Sequence, residues 1–295
     1  MDPAISVIIP VYNGETTIRK AIDSILSNKG HLLEVIVVDD GSTDRTREIV
    51  ESYGDPVYLF LSEGKKSAAD ARNTGIRKAR GKYIAFCDAD DEWLPDKLDK
   101  QMTVFSEHPD YAFVSGGQQC IDEDDRQLFI RRNSVCGNII PRMMVGNIVA
   151  TSTVMARRDA ILELDRWMPN YLIVNEDMYL WLQLAARHAV CVIPDILVRY
   201  HLPKLGKYNI KRKRQDKERM FEELASDVVI GEKLQAYRNV FYSNMYYRIA
   251  TETFLHKHLL EGLELSWLGF KAQPTNLVAL LRTLRDAGRY IRMAG

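Results

Sequence analysis

Buried strands and amphipathic helices alternate along the first ninety residues. Residues 5–11 (ISVIIPV) are apolar almost without interruption, which is typical of a strand buried on both faces of a sheet. Apolar residues then recur at helical spacing, at Ile18, Ile22, Ile25 and Leu26. The alternation continues with predicted strands at 35–38, 57–61 and 83–87 and predicted helices at 43–53 and 67–79. This order predicts an α/β fold whose mainly parallel sheet carries helices on both faces.

Less regular elements follow this alternating part. A helix is predicted after Pro95 and a strand near 111–115. The acidic segment Asp122–Asp125 is interpreted as the tip of a hairpin rather than as a second metal site. Another helix is predicted to begin at Asn175, and its buried stripe consists of Met178, Trp181, Leu182 and Ala185.

Composition places the chain among ordinary globular proteins. Of its 295 residues, 46% are hydrophobic and 27% are charged, which excludes the disordered, collagen-like and coiled-coil classes. The 40 lysine and arginine residues balance the 40 aspartate and glutamate residues. The chain therefore lacks the net positive charge that is typical of nucleic-acid-binding proteins. The balance is uneven, because 17 basic and 10 acidic residues lie from Pro203 onward, including the basic run Lys211–Arg214. We therefore expect the two parts of the chain to have different partners.

A cytoplasmic location is predicted. The sequence contains no run of about 18 apolar residues, and the first strand is not preceded by the basic flank of a signal peptide. The four cysteines lack CxxC spacing and lie mostly in apolar or strand-like runs: Cys87, Cys120, Cys136 and Cys191. They are predicted to be reduced packing residues rather than zinc ligands or a disulfide framework.

Polar clusters follow three of the predicted strands, at 10–13 (PVYN), 39–42 (DDGS) and 88–91 (DADD). The carboxyl ends of parallel strands share one edge of a sheet, where ligands of such sheets bind. Each cluster alone would equally suit a turn. The acidic residues, however, would repel one another unless a cation lies among them, and they are Asp40, Asp88, Asp90 and Asp91. The sequence therefore favours a ligand site at this edge.

The residue types at this edge suit a metal-bound nucleoside diphosphate. Asp88 and Asp90 lie two residues apart at a strand exit, so both can offer oxygen ligands to a divalent cation. Tyr12 and Asp40 are placed to hold a nucleoside. A hydroxyl acceptor needs a general base, for which Asp177 is the candidate. Acidic residues also suit the first turn of a helix, so a purely structural role at that position remains open.

Four segments together resemble the family 2 glycosyltransferases of the GT-A fold, and they are residues 5–15 (ISVIIPVYNGE), 35–46 (VIVVDDGSTDRT), 69–98 (ADARNTGIRKARGKYIAFCDADDEWLPDKL) and 175–185 (NEDMYLWLQLA). The resemblance covers residues 4–203. It implies a metal-dependent, inverting transfer from a nucleotide-diphosphate sugar, for which a UDP-sugar is expected, to a hydroxyl group of a glycan or lipid-linked glycan. Such reactions build surface polysaccharides.

The resemblance also implies a domain organisation. A GT-A domain of residues 1–203 would consist of a nucleotide-sugar half, 1–110, and an acceptor half, 111–203. A basic helical region, 204–295, would follow it.

Roles on the donor side follow from the same resemblance. Asp88 and Asp90 would form the DxD motif that holds Mn²⁺ or Mg²⁺, with Asp90 the more direct ligand and Asp88 nearer the nucleotide. Asp40 would contact the base. Pro10 and Tyr12 would wall the pocket of the base, in the same nucleotide-binding cluster as Asn13.

On the acceptor side, the resemblance makes Asp177 the catalytic base, with Glu176 beside it near the acceptor or the metal. Arg72 and Asn73 match a segment that approaches the diphosphate, although Arg72 would equally suit a solvated helix surface. The family often has a histidine after the Glu-Asp pair that completes the metal shell. His201 is shifted against that pattern, so a metal ligand and a packed or surface histidine both remain open.

Two rival functions deserve weight against this one. A nucleotidyltransferase that makes nucleotide sugars would need a glycine-rich, basic loop after the first strand to hold the triphosphate. Residues 10–15 (PVYNGE) contain one glycine and no lysine or arginine. A non-catalytic scaffold of the same fold would not need the carboxylates of Asp88, Asp90 and Asp177, which are all present.

The segment 276–293 predicts a basic amphipathic helix. Its arginines and leucines recur at helical spacing, at Arg282, Arg285, Arg289 and Arg292 and at Leu277, Leu280, Leu281 and Leu284. Such a helix can lie on an anionic membrane at the inner face of the plasma membrane, pack its leucines on the catalytic domain, or form a homodimer contact. The sequence leaves these three possibilities open.

Overall fold

A computed structural model describes residues 3–62, 67–122, 124–202, 210–255 and 258–294, with the backbone alone for Leu255, Leu259 and 286–294. The chain divides into two units. The first unit contains the described residues up to Ile139 together with Val149–Tyr171 and Glu176–Leu202. The second unit contains Ile140–Ile148, Leu172–Asn175 and the described residues from 210 onward. Two short segments of the predicted 1–203 domain therefore pack with the helices that follow it.

Ten strands among the described residues form one sheet in the first unit. They are β1 (Ile5–Val11), β2 (Leu33–Asp39), β3 (Val57–Leu61), β4 (Tyr83–Phe86), β5 (Glu92–Trp93), β6 (Phe113–Ile121), β7 (Gln127–Arg131), β8 (Val135–Gly137), β9 (Met155–Arg157) and β10 (Val190–His201). Their order is β3-β2-β1-β4-β9-β6-β10-β5, with β7 beside β6 and β8 beside β10. The four strands β1 to β4 run parallel, and β9 is antiparallel to both of its neighbours. The predicted α/β fold with a mainly parallel sheet is confirmed.

The helices follow the strands in chain order. They are α1 (Ile18–Leu26), α2 (Thr46–Glu51), α3 (Ala68–Lys78), α4 (Lys97–Glu107), α5 (Ile140–Val145), α6 (Arg158–Leu162), α7 (Glu176–Arg187), α8 (Ile210–Ala225), α9 (Gly231–Gln235), α10 (Arg238–Leu255), α11 (Leu259–Ala272) and α12 (Leu277–Ala294). A 3₁₀ turn, Thr151–Thr153, precedes β9. No helix among the residues described is long and apolar enough to cross a membrane.

Strand β1 lies in the centre of the hydrophobic core. Its residues Ile5, Val7, Ile8 and Ile9 are completely buried, which explains the unbroken apolar run in the sequence. Helix α3 packs closely against this strand at Gly75, where an added Cβ would lie 2.4 Å from a methyl group of Ile8. Because only glycine permits this approach, the helix is held at a fixed distance from the sheet.

The prediction that all four cysteines are reduced is wrong for one pair. Cys136 and Cys191 form a disulfide, because the antiparallel pairing of β8 and β10 places them directly opposite each other, with Cα atoms 4.0 Å apart. They are 55 residues apart in the chain, so their spacing gave no sign of this pairing. Cys87 and Cys120 are free and buried.

The second unit is helical, and α12 packs on α10. One of the three predictions for this helix was that its leucine stripe packs on the catalytic domain. Leu277, Leu281 and Leu284 are exposed and Leu280 is partly buried, so the stripe is not buried in a core. The predicted arginines 289 and 292 lie outside the residues whose side chains are described.

Candidate active site

An acidic loop follows β4 at the carboxyl edge of the parallel strands. Asp88 is partly buried and Asp90 is exposed, whereas Asp91 is 1% exposed. Its carboxylate accepts hydrogen bonds from the Ser152 hydroxyl and from the backbone N–H of His201. Burial, together with the charges of Asp88 and Asp90, raises the pKa of Asp91 well above its usual range. The loop therefore carries concentrated negative charge.

The donor set of this loop fits a divalent cation. Asp88 and Asp90 offer carboxylate oxygens, which Mn²⁺ and Mg²⁺ prefer, from a short loop fixed at the end of a strand. The negative charge of the loop also affects Tyr200, near the end of β10. Burial and the carboxylates of the loop raise the pKa of its phenol. A bound cation would relieve this repulsion.

Arg72 links the acidic loop to the start of α7. Its guanidinium donates to Asp88 Oδ1 at 2.6 Å and to Glu176 Oε1 at 2.8 Å, while its Nε has no hydrogen-bond partner among the residues described. The residue is 6% exposed, so the interpretation as a solvated helix charge is wrong. The two carboxylates, 16 and 104 residues away in the chain, replace the water that Arg72 loses on burial.

Helix α7 begins with the Glu-Asp pair. Burial raises the pKa of Glu176 to about 7, against the lowering influence of Arg72. Asp177 Oδ2 accepts a hydrogen bond of 2.8 Å from the Thr151 hydroxyl, and its Oδ1 accepts one of 2.7 Å from the backbone N–H of Met178. These bonds fix the orientation of the Asp177 carboxylate at the first turn of the helix.

The 3₁₀ turn Thr151–Thr153 connects the parts of this site. Thr151 holds Asp177, as described above, and the Ser152 hydroxyl binds both the carboxylate of Asp91 and the backbone N–H of Asp88, the latter at 3.0 Å. Thr153 is buried, and its hydroxyl lies 2.6 Å from that of Ser115 on β6. None of the predicted elements or site residues included this turn. The signal that could have found it is a triplet of small hydroxyl residues between the apolar residues at 149–150 and 154–156, because buried hydroxyls need specific partners.

A buried lysine is the first residue of α4. Lys97 is completely buried, donates to Gln101 Oε1 at 2.7 Å, and lies 3.8 Å from the centre of the Trp93 ring. Burial lowers its pKa to about 7. Gln101 in turn donates to the carbonyl of Thr153 at 2.9 Å, so the network continues into the 3₁₀ turn.

The predicted nucleotide-side residues lie at the ends of β1 and β2. Pro10 pairs with Val38 in the register of these strands and is partly buried. Tyr12 is 43% exposed, and Asp40 is 6% exposed. Asn13 has a positive φ of 52°, and its side-chain Oδ1 accepts a 2.8 Å hydrogen bond from the backbone of Thr43. Asn13 therefore joins the two strand-end loops to each other.

Asn73 holds a different part of the chain. Its Nδ2 donates to the carbonyl of Met168 at 2.7 Å, and its Oδ1 accepts from the backbone N–H of Met168 at 3.2 Å. This reciprocal pair favours a role in anchoring the segment before α7 over the predicted contact with the diphosphate.

His201 lies beside a second acidic group. Side chains of successive strand residues point to opposite faces of a sheet. The carboxylates of the acidic loop raise the pKa of Tyr200, whereas the ring of His201, the next residue, lies 3.2 Å from the carboxylate of Asp125. Atoms of Glu92, Asp125 and His201 lie within 4.8 Å of one another. The structure therefore brings His201 to these residues rather than to the predicted ligands Asp88 and Asp90.

Basic side chains balance this second acidic group. Lys20 approaches Asp125 at 3.1 Å, and Arg199 approaches Glu92 at 3.3 Å. Asp125 lies in the turn that joins β6 and β7, closed by a 3.0 Å bond from Asp122 N–H to the carbonyl of Arg126, as expected of a hairpin tip. Glu123 lies outside the residues described.

Comparisons with known proteins identify the family of this chain. The model of the family described as Glycosyl transferase family 2 matches residues 6–161. A protein of Rickettsia bellii (strain RML369-C), named as an uncharacterized glycosyltransferase, is 34% identical over 189 residues, which are 63% of this chain and 27% of that protein. This chain thus spans about a quarter of the length of that relative.

A second relative has a more specific name. The Escherichia coli protein WfgD, named as a UDP-Glc:alpha-D-GlcNAc-diphosphoundecaprenol beta-1,3-glucosyltransferase, is 31% identical over 198 residues, or 65% of this chain and 74% of WfgD. Among solved structures, the mannosyltransferase PcManGT from Pyrobaculum calidifontis, in complex with GDP-Man and Mn²⁺, superposes with a TM-score of 0.59 at 19% identity, covering 99% of this chain and 88% of that one. At this identity the likeness establishes the fold, which is the GT-A type.

Proposed function

This chain belongs to glycosyltransferase family 2, and we propose that it transfers a sugar from a nucleotide-diphosphate sugar to a hydroxyl group of a glycan or lipid-linked glycan, with inversion at the anomeric carbon. The observation that carries the proposal is the ion-pair chain in which Arg72 joins Asp88 to Glu176. It brings the loop that would hold the leaving diphosphate close to the residues that would face the acceptor. A direct displacement needs both sets of groups in one place.

A UDP-sugar is the proposed donor. WfgD, whose name specifies UDP-Glc and a diphosphoundecaprenol-linked acceptor, supports a UDP-sugar and a lipid-linked glycan in the synthesis of surface polysaccharide. The exposed ring of Tyr12 offers a face for the base, and Asp40 offers a carboxylate at the end of the neighbouring strand.

Asp88 and Asp90 are the residues proposed to hold Mn²⁺ or Mg²⁺. When bound, the cation supplies positive charge that neutralises the departing diphosphate. Arg72 keeps one carboxylate oxygen of Asp88 in place and adds a permanent positive charge at the same end of the site.

Asp177 is the proposed general base. As the acceptor oxygen forms its bond to the anomeric carbon, the bond from that carbon to the diphosphate oxygen breaks on the opposite face. The proton of the acceptor hydroxyl passes to the Asp177 carboxylate. The hydroxyl of Thr151 orients this carboxylate, and Glu176 keeps Arg72 in place beside it.

Turnover with defined donors tests the proposal. The chain is incubated with Mn²⁺, a panel of UDP-sugars and GDP-Man, and glycan or lipid-linked acceptors, while nucleotide release and the anomeric configuration of the product are measured. We expect acceptor-dependent release from one UDP-sugar and an inverted product. Asp177→Asn should lower kcat by about 10²–10⁴-fold with donor affinity unchanged. The matched control Asp110→Asn, at an exposed position before β6, should behave as the wild type.

Three results would contradict parts of this function. Pyrophosphate release from UTP and a sugar phosphate would make the chain a nucleotidyltransferase. Nucleotide binding without turnover of any donor would favour a scaffold. Wild-type turnover of the Asp177→Asn variant would leave Asp177 only its structural place at the start of α7.

A further inference from the structure

The second unit exposes large apolar side chains on its last two helices. On α12 we define the outer face by the exposed residues Leu277, Val278, Leu281, Arg282, Leu284 and Arg285. Its four apolar members are 46–71% exposed. On α11 the exposed apolar residues are Leu260, Leu263 and Trp267. Proteins that remain monomeric in water rarely expose so many large apolar side chains on neighbouring elements.

The opposite side of α12 already has a partner. Thr283 is 2% exposed, and its hydroxyl lies 3.4 Å from the carbonyl of Tyr247 on α10. Asn276, just before the helix, donates from Nδ2 to the hydroxyl of Ser243 on α10 at 3.0 Å. Helix α12 is thus anchored by polar side chains while its leucines remain exposed, the reverse of the usual arrangement of an amphipathic helix on a core.

Positive charge accompanies the exposed leucines. Arg282 and Arg285 belong to the outer face, and no acidic residue occurs between Leu277 and Arg285. The whole helix contains four arginines and one aspartate. On α11 the ammonium group of Lys271 lies 5.4 Å from the centre of the exposed Trp267 ring. The exposed carboxylates near these residues, Glu261 and Glu264, belong to α11 and not to α12. Leucine and arginine side chains on one helix face, as on α12, are typical of helices that lie in the plane of a membrane interface.

We propose that the outer face of α12, together with the exposed apolar residues of α11, binds the surface of a bilayer that contains anionic phospholipids. The apolar side chains would enter the acyl boundary, and the guanidinium groups of Arg282 and Arg285 would pair with lipid phosphates. A second copy of the chain is a poorer partner, because a two-fold contact through the outer face of α12 would place Arg282 and Arg285 against their own copies, and no acidic residue occurs between Leu277 and Arg285 to separate them. Binding of this kind does not depend on the proposed reaction.

Vesicle binding by the full chain tests this surface. Co-sedimentation compares two kinds of vesicle, pure phosphatidylcholine and phosphatidylcholine with about 30% phosphatidylglycerol. The second kind has a surface charge similar to that of an anionic leaflet. We expect binding to the anionic vesicles at low salt and release at high salt. A double variant with both Arg282→Gln and Arg285→Gln should have a partition coefficient about thirtyfold lower than that of the wild type. Leu281→Ser should weaken it by about tenfold, whereas the control Leu32→Ser, an exposed leucine of the first unit, should leave it unchanged.

Trp267 provides a readout in the wild-type protein. It is the most exposed of the four tryptophans, so its emission should shift to the blue on anionic vesicles and be quenched by brominated acyl chains. Absence of binding to anionic vesicles at low salt overturns the proposal. A dimer in sedimentation velocity that Leu281→Ser dissociates, with no vesicle binding, overturns it in favour of a second copy of the chain.

Discussion

Lys97 and Arg72 are both buried basic residues of the first unit, but their surroundings differ. Arg72 is paired with two carboxylates, whereas Lys97 contacts the neutral side chains of Gln101 and Trp93. Removing one partner of a buried ion pair typically costs about 3–5 kcal/mol. A buried lysine without a carboxylate avoids much of its own cost by losing its proton, which is why its pKa is lowered to about 7.

Lys97→Met should therefore change the pH dependence of stability. The pKa of this lysine is about 7 in the folded chain and 10.5 in the unfolded one, so unfolding takes up a proton between these values. The wild type gains stability as the pH rises through that window. The stability of the variant relative to wild type should be greatest near pH 7 and fall towards pH 10.5, by at most about 1.4 kcal/mol per pH unit. Urea unfolding at several pH values measures it.

The exposed Lys29 supplies the control for this comparison. Lys29→Met makes the same substitution at an exposed position of the first unit and is measured in the same unfolding series. Parallel stability profiles of wild type and Lys97→Met would mean that Lys97 keeps its proton inside the fold.

Sequence predicted where the candidate site residues lie in the fold better than it predicted their partners. Tyr12, Asp40 and Asp88 could be placed because each follows a strand, and the ends of parallel strands meet at one edge. The burial of Arg72 could not be predicted, because one of its two partners, Glu176, is 104 residues away in the chain. Pairings of this kind are a property of the folded sheet and leave no local pattern.

At the scale of elements, the 3₁₀ turn Thr151–Thr153 separates two effects that mutations can test. Thr151→Val removes the hydroxyl that orients Asp177, so kcat should fall with little change in the KM for the donor. Ser152→Ala removes the hydroxyl that binds Asp91 and the backbone of Asp88, so the donor KM should rise. Hydrogen bonds to charged groups contribute about 1.5–3 kcal/mol, so each effect should be roughly tenfold to a hundredfold. Steady-state kinetics with the active donor measure both.

Thr103→Val is the matched control for these variants. Its hydroxyl bonds to the carbonyl of Asp99 within α4 and contacts no residue of the site. Equal changes in kcat and KM for Thr151→Val and Ser152→Ala would show that the turn acts as one support and not through separate contacts.

Predicted and observed elements differ where loops compete with helices. The helix predicted at 43–53 begins only at Thr46, because the backbone N–H groups of Thr43 and Arg45 donate to side chains of Asn13 and Glu15 in the neighbouring loop. Periodicity also found α12 but not which side of it is buried. That choice depends on the surface of α10, which the sequence of α12 does not contain.

At the scale of the whole molecule, nucleotide and metal should stabilise the chain together. Ligand that binds only the folded state adds about 2.7 kcal/mol at a hundredfold excess over Kd. UDP should therefore raise Tm by several degrees in Mn²⁺ or Mg²⁺ and leave it unchanged in EDTA. Asp90→Asn should lose the rise, and its Tm without ligand should not fall below that of the unliganded wild type, because the side chain is exposed and its charge adds to the repulsion within the acidic loop. Scanning fluorimetry measures this, with Asp110→Asn as control.

Stabilisation by UDP of equal size in EDTA would remove the metal from the proposed site. A lower Tm of Asp90→Asn without ligand would instead show that the exposed carboxylate supports the fold.

The order of the elements along the chain determines which of them a chimera between related proteins would exchange together. Strands β1 to β4, whose ends carry the proposed donor residues, are continuous in the sequence, and the proposed base arrives later on α7. A crossover between β5 and the 3₁₀ turn would exchange the segment that carries the proposed base and retain the strands that carry the proposed donor residues. Such a chimera must inherit compatible partners across the junction, above all Glu176 for Arg72 and Ser152 for Asp91. We expect chimeras that keep these two pairings to fold with the proposed donor site unchanged, and chimeras that lose either pairing to be less stable.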